Sequence, residues 1–204
     1  MSLEYDYIIA GGGSAGCVLA SRLANNSKDS ICLVEAGGSG KNLFIKMPAG
    51  NGFIFGNPKF DWGYHSVKQA QLNNRKIYFA RGKGLGGTSI VNGMVYIRGV
   101  AQDYDNWRQM GLDGWGYSDL LPYFKYSEGS TNRQNNFHGN QGPLKVEPAR
   151  NFSLLDKAFI KAAVETGHEF LDDFNANKRA GVSRIDSTTY RGVRQSSAIS
   201  YLNK

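Results

Sequence analysis

The sequence predicts an α/β fold grown from a parallel strand–helix–strand unit, and three observations carry that expectation. A short apolar run, Tyr5-Asp6-Tyr7-Ile8-Ile9-Ala10, ends on a glycine turn. The stretch from Ala15 to Asn25 then sets Val18, Leu19 and Leu23 at helical spacing, and Ser30-Ile31-Cys32-Leu33-Val34 is a second apolar run. Continuous rather than alternating apolar runs are the mark of parallel strands covered on both faces, and a right-handed crossover places two such strands side by side.

The remaining elements follow in order. Residues 38–80 hold Gly, Asn, Pro and the aromatics Phe44, Phe53, Phe55, Phe60, Trp62 and Tyr64 without a sustained period. They predict an ordered irregular excursion, a length of loop that is usually functional as a lid or a cofactor wrap. A second glycine-rich patch spans Gly82 to Arg98. Asp103, Tyr104, Trp107 and Met110 then suggest a short amphipathic helix between Val100 and Gly111. Ser118 is the expected N-cap of another helix, with Pro122 near its first turn. Asn132 to Gly142 is polar and turn-like, which predicts a mobile linker or surface loop. Ser153 opens the clearest later helix and Gly167 closes it. The apolar segment from Ala198 to Leu202 is expected to lack a partner. Met1-Ser2-Leu3 carries no fold information if it is a vector-derived start.

Composition narrows the class. With 204 residues, 41% hydrophobic and 20% charged, the chain is neither disordered nor fibrous. Its 26 glycines are close to twice the average of about 7% and follow no period, so backbone must turn tightly or approach a ligand at many places. The net charge is +7, but Lys and Arg are scattered with no run of five or six, which argues against nucleic acid and an anionic membrane surface. No apolar run reaches the length of a membrane span, and the start lacks the flanks of a signal peptide. Cys17 and Cys32 fall in a helix and a strand, as packed reduced thiols would, and the location expected is cytoplasmic.

The chemistry lies in two places. Gly11-Gly12-Gly13-Ser14-Ala15-Gly16 sits between the first strand and the helix. Gly11 allows the tight turn, Gly13 removes a side chain that would block a pyrophosphate, and Gly16 lets helix and strand pack closely. The helix N-terminus supplies N–H groups and a positive dipole to phosphate. Glu35, at the end of the second strand and followed by Ala36, can accept both hydroxyls of a ribose and repels a 2′-phosphate. Gly11, Gly13, Ser14, Ala15, Gly16, Glu35 and Ala36 are therefore the first set of cofactor-binding candidates, with FAD and NAD both open, as is a non-catalytic nucleotide-binding module. The second patch adds Gly84, Gly87, Asn92, Gly93, Met94 and Val95. Its backbone N–H groups suit a phosphate or a flat ring; the alternative is a pair of tight turns around a strand.

These residues also carry a resemblance. The stretch from Tyr7 to Gly37, then Ala80-Arg81-Gly82-Lys83-Gly84-Leu85-Gly86-Gly87-Thr88-Ser89 through Asn92, Tyr96 and Arg98-Gly99, then Asp103-Tyr104-Asp105-Asn106-Trp107, resembles the glucose-methanol-choline (GMC) oxidoreductase family, choline dehydrogenase-like members in particular. Asp173-Phe174-Asn175, Gly181-Val182 and Gly192-Val193-Arg194-Gln195-Ser196-Ser197-Ala198 extend it to nearly the whole chain. The resemblance implies a partial Rossmann-type FAD-binding fold with irregular and helical excursions, residues 1–204 being the amino-terminal FAD-binding portion of a larger enzyme. It implies oxidation of a CH–OH group by hydride transfer to flavin when the enzyme is intact, with a small-molecule alcohol as substrate. Gly11, Gly13, Gly16 and Glu35 would hold the ADP half, and Gly84 with Asn92-Gly93-Met94-Val95 would lie near the isoalloxazine. Val91 stands where some family members tether the flavin through histidine, so the FAD is expected to be noncovalent. The family's catalytic histidine lies in a later segment, so no catalytic residue and no metal site is expected in this chain. His65, His138 and His168 are assigned surface or structural roles. Exposed core would favour self-association.

Overall fold

The computed structural model describes residues 4–150 and 152–202, so the reading of Met1-Ser2-Leu3 lies outside the described residues. The chain divides into two compact units, one formed by residues 1–94 with 191–204 and the other by residues 95–190.

The first unit begins with the expected motif. Strand β1 (Tyr7–Ala10), helix α1 (Ser14–Asn26) and strand β2 (Ile31–Val34) follow in order, and β1 pairs with β2 in parallel, Tyr7 opposite Ile31 and Ala10 opposite Val34. The strands depart from expectation in burial. Ile9 is buried, on the side of Gly16 in α1, while Ile8 is 70% exposed and Val34 53% exposed. The apolar runs were expected to be covered on both faces; the ladder has two strands and α1 covers one face.

Within the excursion, short helices α2 (Leu43–Lys46) and α3 (Asn51–Ile54) flank a 3₁₀ turn at Pro48–Gly50. Asn42 caps α2 by accepting from the Phe44 N–H at 2.9 Å. Strands β3 (Tyr64–His65) and β4 (Tyr78–Phe79) pair antiparallel. Ile45, Ile54, Phe60, Ile90 and Val91 form a core that ties the excursion to the second glycine patch. A separate cluster joins Cys17 of α1 to Ala198 and Tyr201, with Val18, Leu85 and Leu202 packed against it. The Ala198–Leu202 segment was expected to lack a partner; instead Ser196 caps a closing helix, Ser197–Tyr201, which lays its apolar face on α1. Cys17 and Cys32 are free thiols.

The second unit contains strand β5 (Val95–Tyr96), helices α4 (Ala101–Gln109) and α5 (Tyr117–Ser127), strands β6 (Glu128–Ser130) and β7 (Leu144–Pro148), helix α6 (Leu154–Glu165) and strand β8 (Asp186–Ser187). The sheet order is β5-β8-β7-β6, with β6 and β7 parallel and the other pairs antiparallel. Tyr104 of α4 packs its ring against Trp107, Tyr117 and Phe124, which accounts for the amphipathic pattern. The N-cap of α5 is Gly116 rather than Ser118, because the Asp119 carboxylate accepts from the Gly116 N–H at 3.0 Å and starts the helix two residues earlier. Pro122 consequently lies in the second turn.

The polar stretch from Asn132 to Gly142 is not a linker. Arg133 binds Asp186 and Asp172, each at 2.9 Å, and Gly139 and Gly142 lie so close to the backbone of Lys125 and Ser127 that a Cβ on either would clash. Among the described residues no helix is long and apolar enough to cross a membrane.

Candidate cofactor-binding site

Gly11 turns the chain at a φ of 98°, in the region that favours glycine, and its N–H donates to Val34 O at 2.8 Å. A Cβ on Gly16 would stand 2.0 Å from the Gly11 carbonyl oxygen, so only glycine lets α1 start this close to β1. A Cβ on Gly13 would meet nothing within 4 Å. That open face lies at the N-terminus of a 13-residue helix with no side-chain cap and no acidic residue in its first turn, and Ser14 and Ala15 there are exposed. A helix end without a side-chain cap leaves its first-turn N–H groups open to an approaching acceptor.

Glu35 closes the turn from the other side. Its two carboxylate oxygens accept from the N–H groups of Gly12 at 2.7 Å and Gly37 at 2.8 Å, leaving further lone pairs for a ligand hydroxyl. Ala36 beside it is exposed. The Cys17 thiol, pushed up by burial, donates to Gly12 O at 3.1 Å and acts as a packed structural group.

The two glycine-rich segments meet as backbone. Gly86 N donates to Gly12 O at 2.7 Å and Leu85 N to Gly38 O at 2.9 Å, with Gly38 and Gly84 forming a parallel bridge. A Cβ on Gly87 would lie 2.7 Å from Gly13 Cα, and one on Gly37 would lie 2.3 Å from Gly84 N. Gly11, Gly13, Ser14, Ala15, Gly16, Glu35, Ala36, Gly84 and Gly87 are thus brought together. A recess of about 380 Å³ adjoins them, lined by Gly38, Gly40, Lys41, Lys59, Lys83 and Ile90.

After a 3₁₀ turn at Gly87–Ile90 come Asn92, Gly93 and Met94. Met94 has a φ of 61°, a left-handed conformation that costs a non-glycine residue about 1–2 kcal/mol. Asn92 Oδ1 accepts from the Met94 N–H at 3.2 Å and supports that turn. Val95 opens β5 and belongs to the other unit.

Two groups escaped the sequence. Asp61 is 2% exposed and accepts from the N–H groups of Gly56, Gly63 and Arg81 and from the Tyr78 hydroxyl. Burial opposes its ionisation, but these donors outweigh it and hold the carboxyl down at about 2. Arg194 is fully buried and binds acceptors on three segments of the unit. One arginine among small polar residues gives no sign of burial; Asp61, between Phe60 and Trp62, had the hint of an aromatic setting.

The three histidines lie in different settings. His65 and His168 are exposed. His138, 1% exposed, places Nδ1 2.7 Å from Glu128 Oε1 and Nε2 2.7 Å from Asp173 Oδ2, while Arg98 binds Glu128 Oε2 at 2.7 Å. Burial works against the imidazolium, yet the hydrogen bonds to Asp173 and Glu128 raise His138 to about 9. Both ring nitrogens therefore carry protons and donate.

The chain is mixed α/β with a parallel strand pair and two interlocked glycine segments, and solved structures similar to it include oxidoreductases. Pyridoxine 4-oxidase from Mesorbium loti superposes with a TM-score of 0.92 at 34% identity, over 98% of this chain and 40% of that one. An FAD-dependent oxidoreductase from Chaetomium thermophilum gives 0.87 at 30% identity, over 97% and 36%. The chain belongs to the GMC oxidoreductase family, whose model matches residues 5–204. It is 44% identical over 200 residues to the oxygen-dependent choline dehydrogenase of Sinorhizobium fredii, and 40% identical over 206 residues to that of Vibrio vulnificus. These alignments cover 98% and 100% of this chain but 36% and 37% of the relatives, so the chain spans about a third of the length of the curated relatives it matches.

Proposed function

We propose that this chain is the FAD-binding portion of a flavin-dependent alcohol oxidoreductase, with a Rossmann-type βαβ unit receiving the ADP half of the cofactor. One observation carries the reading: the backbone seam between the glycine turn and the second patch lies beside a helix N-terminus that, among the described residues, no side chain caps. An NAD protein has the turn and the acid but no need of the second patch.

In this reading the first-turn N–H groups of α1, from Ser14 to Gly16, bind pyrophosphate while Glu35 accepts from the ribose hydroxyls. Gly84, Gly87 and the Asn92-Gly93-Met94 turn offer backbone and amide groups to the ring system. Val91 has no nucleophilic side chain, which supports noncovalent binding. When bound, FAD supplies the hydride acceptor for oxidation of a CH–OH group, and this chain's residues supply binding and orientation. The choline dehydrogenase relatives support a small alcohol as substrate, and the base that takes the hydroxyl proton is assigned to sequence outside this chain. The two free thiols support a reducing compartment such as the cytoplasm.

The test uses the space at Gly13. Gly13→Val keeps the fold, since its side chain enters open volume, but fills the approach of a pyrophosphate and abolishes FAD uptake, read from bound-flavin absorption at about 450 nm. Glu35→Ala weakens FAD by about 1–3 kcal/mol, the scale of lost charge-assisted hydrogen bonds. Equal affinity in wild type and both variants would remove FAD from this site. A wild-type protein that stays colourless with added FAD removes it from the chain.

A further inference from the structure

Arg194 is a fully buried guanidinium that no carboxylate neutralises among the described residues. Its donors go to neutral oxygens: Nε to Ile45 O at 2.9 Å, one terminal nitrogen to Asn51 Oδ1 at 2.7 Å, and the other to Asn92 O at 2.7 Å and Asn92 Oδ1 at 2.9 Å, with Ser89 O at 3.4 Å. Burial alone pulls it down to about 10, so it remains charged at neutral pH. A buried unpaired cation opposes folding, and such a group persists where its geometry is used. One terminal nitrogen holds both oxygens of Asn92 while Nε and the other terminal nitrogen tie the same rigid plane to Ile45 and Asn51, a set of fixed directions that a lysine ammonium on its flexible stem does not reproduce.

Asn92 Oδ1 takes two donors, Arg194 and the Met94 N–H, and Met94 is in the left-handed region. The strained turn is therefore over-determined from below by the guanidinium. We infer that Arg194 is the positioning residue of the Asn92–Met94 turn, holding it in the conformation that faces the flavin ring. The inference rests on the FAD reading above; a merely structural arginine would influence stability and leave a bound flavin's spectrum alone.

The experiment titrates FAD into wild-type protein and into Asn92→Leu, Arg194→Met, Arg194→Lys and the Asn92→Leu/Arg194→Met pair, reading affinity and, at saturation, the absorption bands of bound flavin. Asn92→Leu and Arg194→Met each weaken FAD at least tenfold and shift the bands in the same way. Arg194→Lys, with one ammonium for the fork, recovers part of both. The pair is no weaker than its weaker member, because the two side chains act as one unit. Asn92 is exposed, so Asn92→Leu folds even if Arg194→Met does not, and Asn92→Asp, which keeps the acceptor oxygen, then serves as the rescue. Unshifted bands in Arg194→Met or Arg194→Lys, independent losses that multiply in the pair, or no rescue by Asn92→Asp overturn the inference and leave the FAD reading standing. Failure of the wild type to take up FAD overturns both.

Discussion

His138 shows how a charged cluster can replace an apolar core. Its imidazolium is held between Glu128 and Asp173, and Glu128 is shared with Arg98, so the ends of β6, the polar loop and the Asp173–Asn175 turn are tied through one ring. The pH dependence follows from the raised pKa. With an ordinary value of 6.5 and a folded value of about 9, the ring contributes stability that is fully present below pH 6.5 and is lost as pH rises through about 9. Wild-type protein should melt progressively lower across that window. His138→Gln should be destabilised at pH 6.5 and lack the ring's share of the slope; an identical slope in both proteins would assign the alkaline loss to other groups. Sequence could not reveal this cluster, because a histidine in an Asn- and Gly-rich run looks solvated and its two carboxylates come from distant segments.

At the level of elements, legibility followed local chemistry. The glycine turn, α1 and β2 were visible because each is encoded by neighbours: positive φ at Gly11, the close approach at Gly16, an apolar stripe. Helix α6 was visible for the same reason. Ser153 Oγ accepts from the Asp156 N–H at 3.2 Å while Asp156 Oδ2 accepts from the Ser153 N–H at 2.8 Å, and Gly167 ends the helix at a φ of 94°. Ser153→Ala should cost about 1 kcal/mol, measured by urea denaturation; no change would mean that packing rather than the cap sets the helix start. The short strands were not visible. Glu128-Gly129-Ser130 has no apolar pattern, and it is a strand because β7 and the polar loop pair with it. The two-residue strands likewise owe their existence to tertiary partners. In the candidate site, the glycines and Glu35 were legible, whereas Arg194 and Asp61 act over long sequence separations that no local pattern encodes.

Across the whole molecule the apolar surface is unevenly distributed. Leu154, Leu155 and Phe159 of α6 are 83%, 78% and 69% exposed, and Ile8 and Val34 stand out from the two-stranded ladder. Patches of this kind drive association. The protein should therefore show concentration-dependent self-association in sedimentation velocity, and Leu155→Glu with Phe159→Glu should shift it toward monomer; a wild-type monomer at high concentration would contradict this. The seam from Gly12 to Gly86 has a different consequence, one of timing. Neither half of the cradle is complete until the chain between them has collapsed around Ile45, Ile54 and Phe60, so the contact that shapes the pocket is non-local and costly to close. The βαβ unit is built from adjacent sequence, whereas any ligand that used both glycine segments would need the excursion between them folded first.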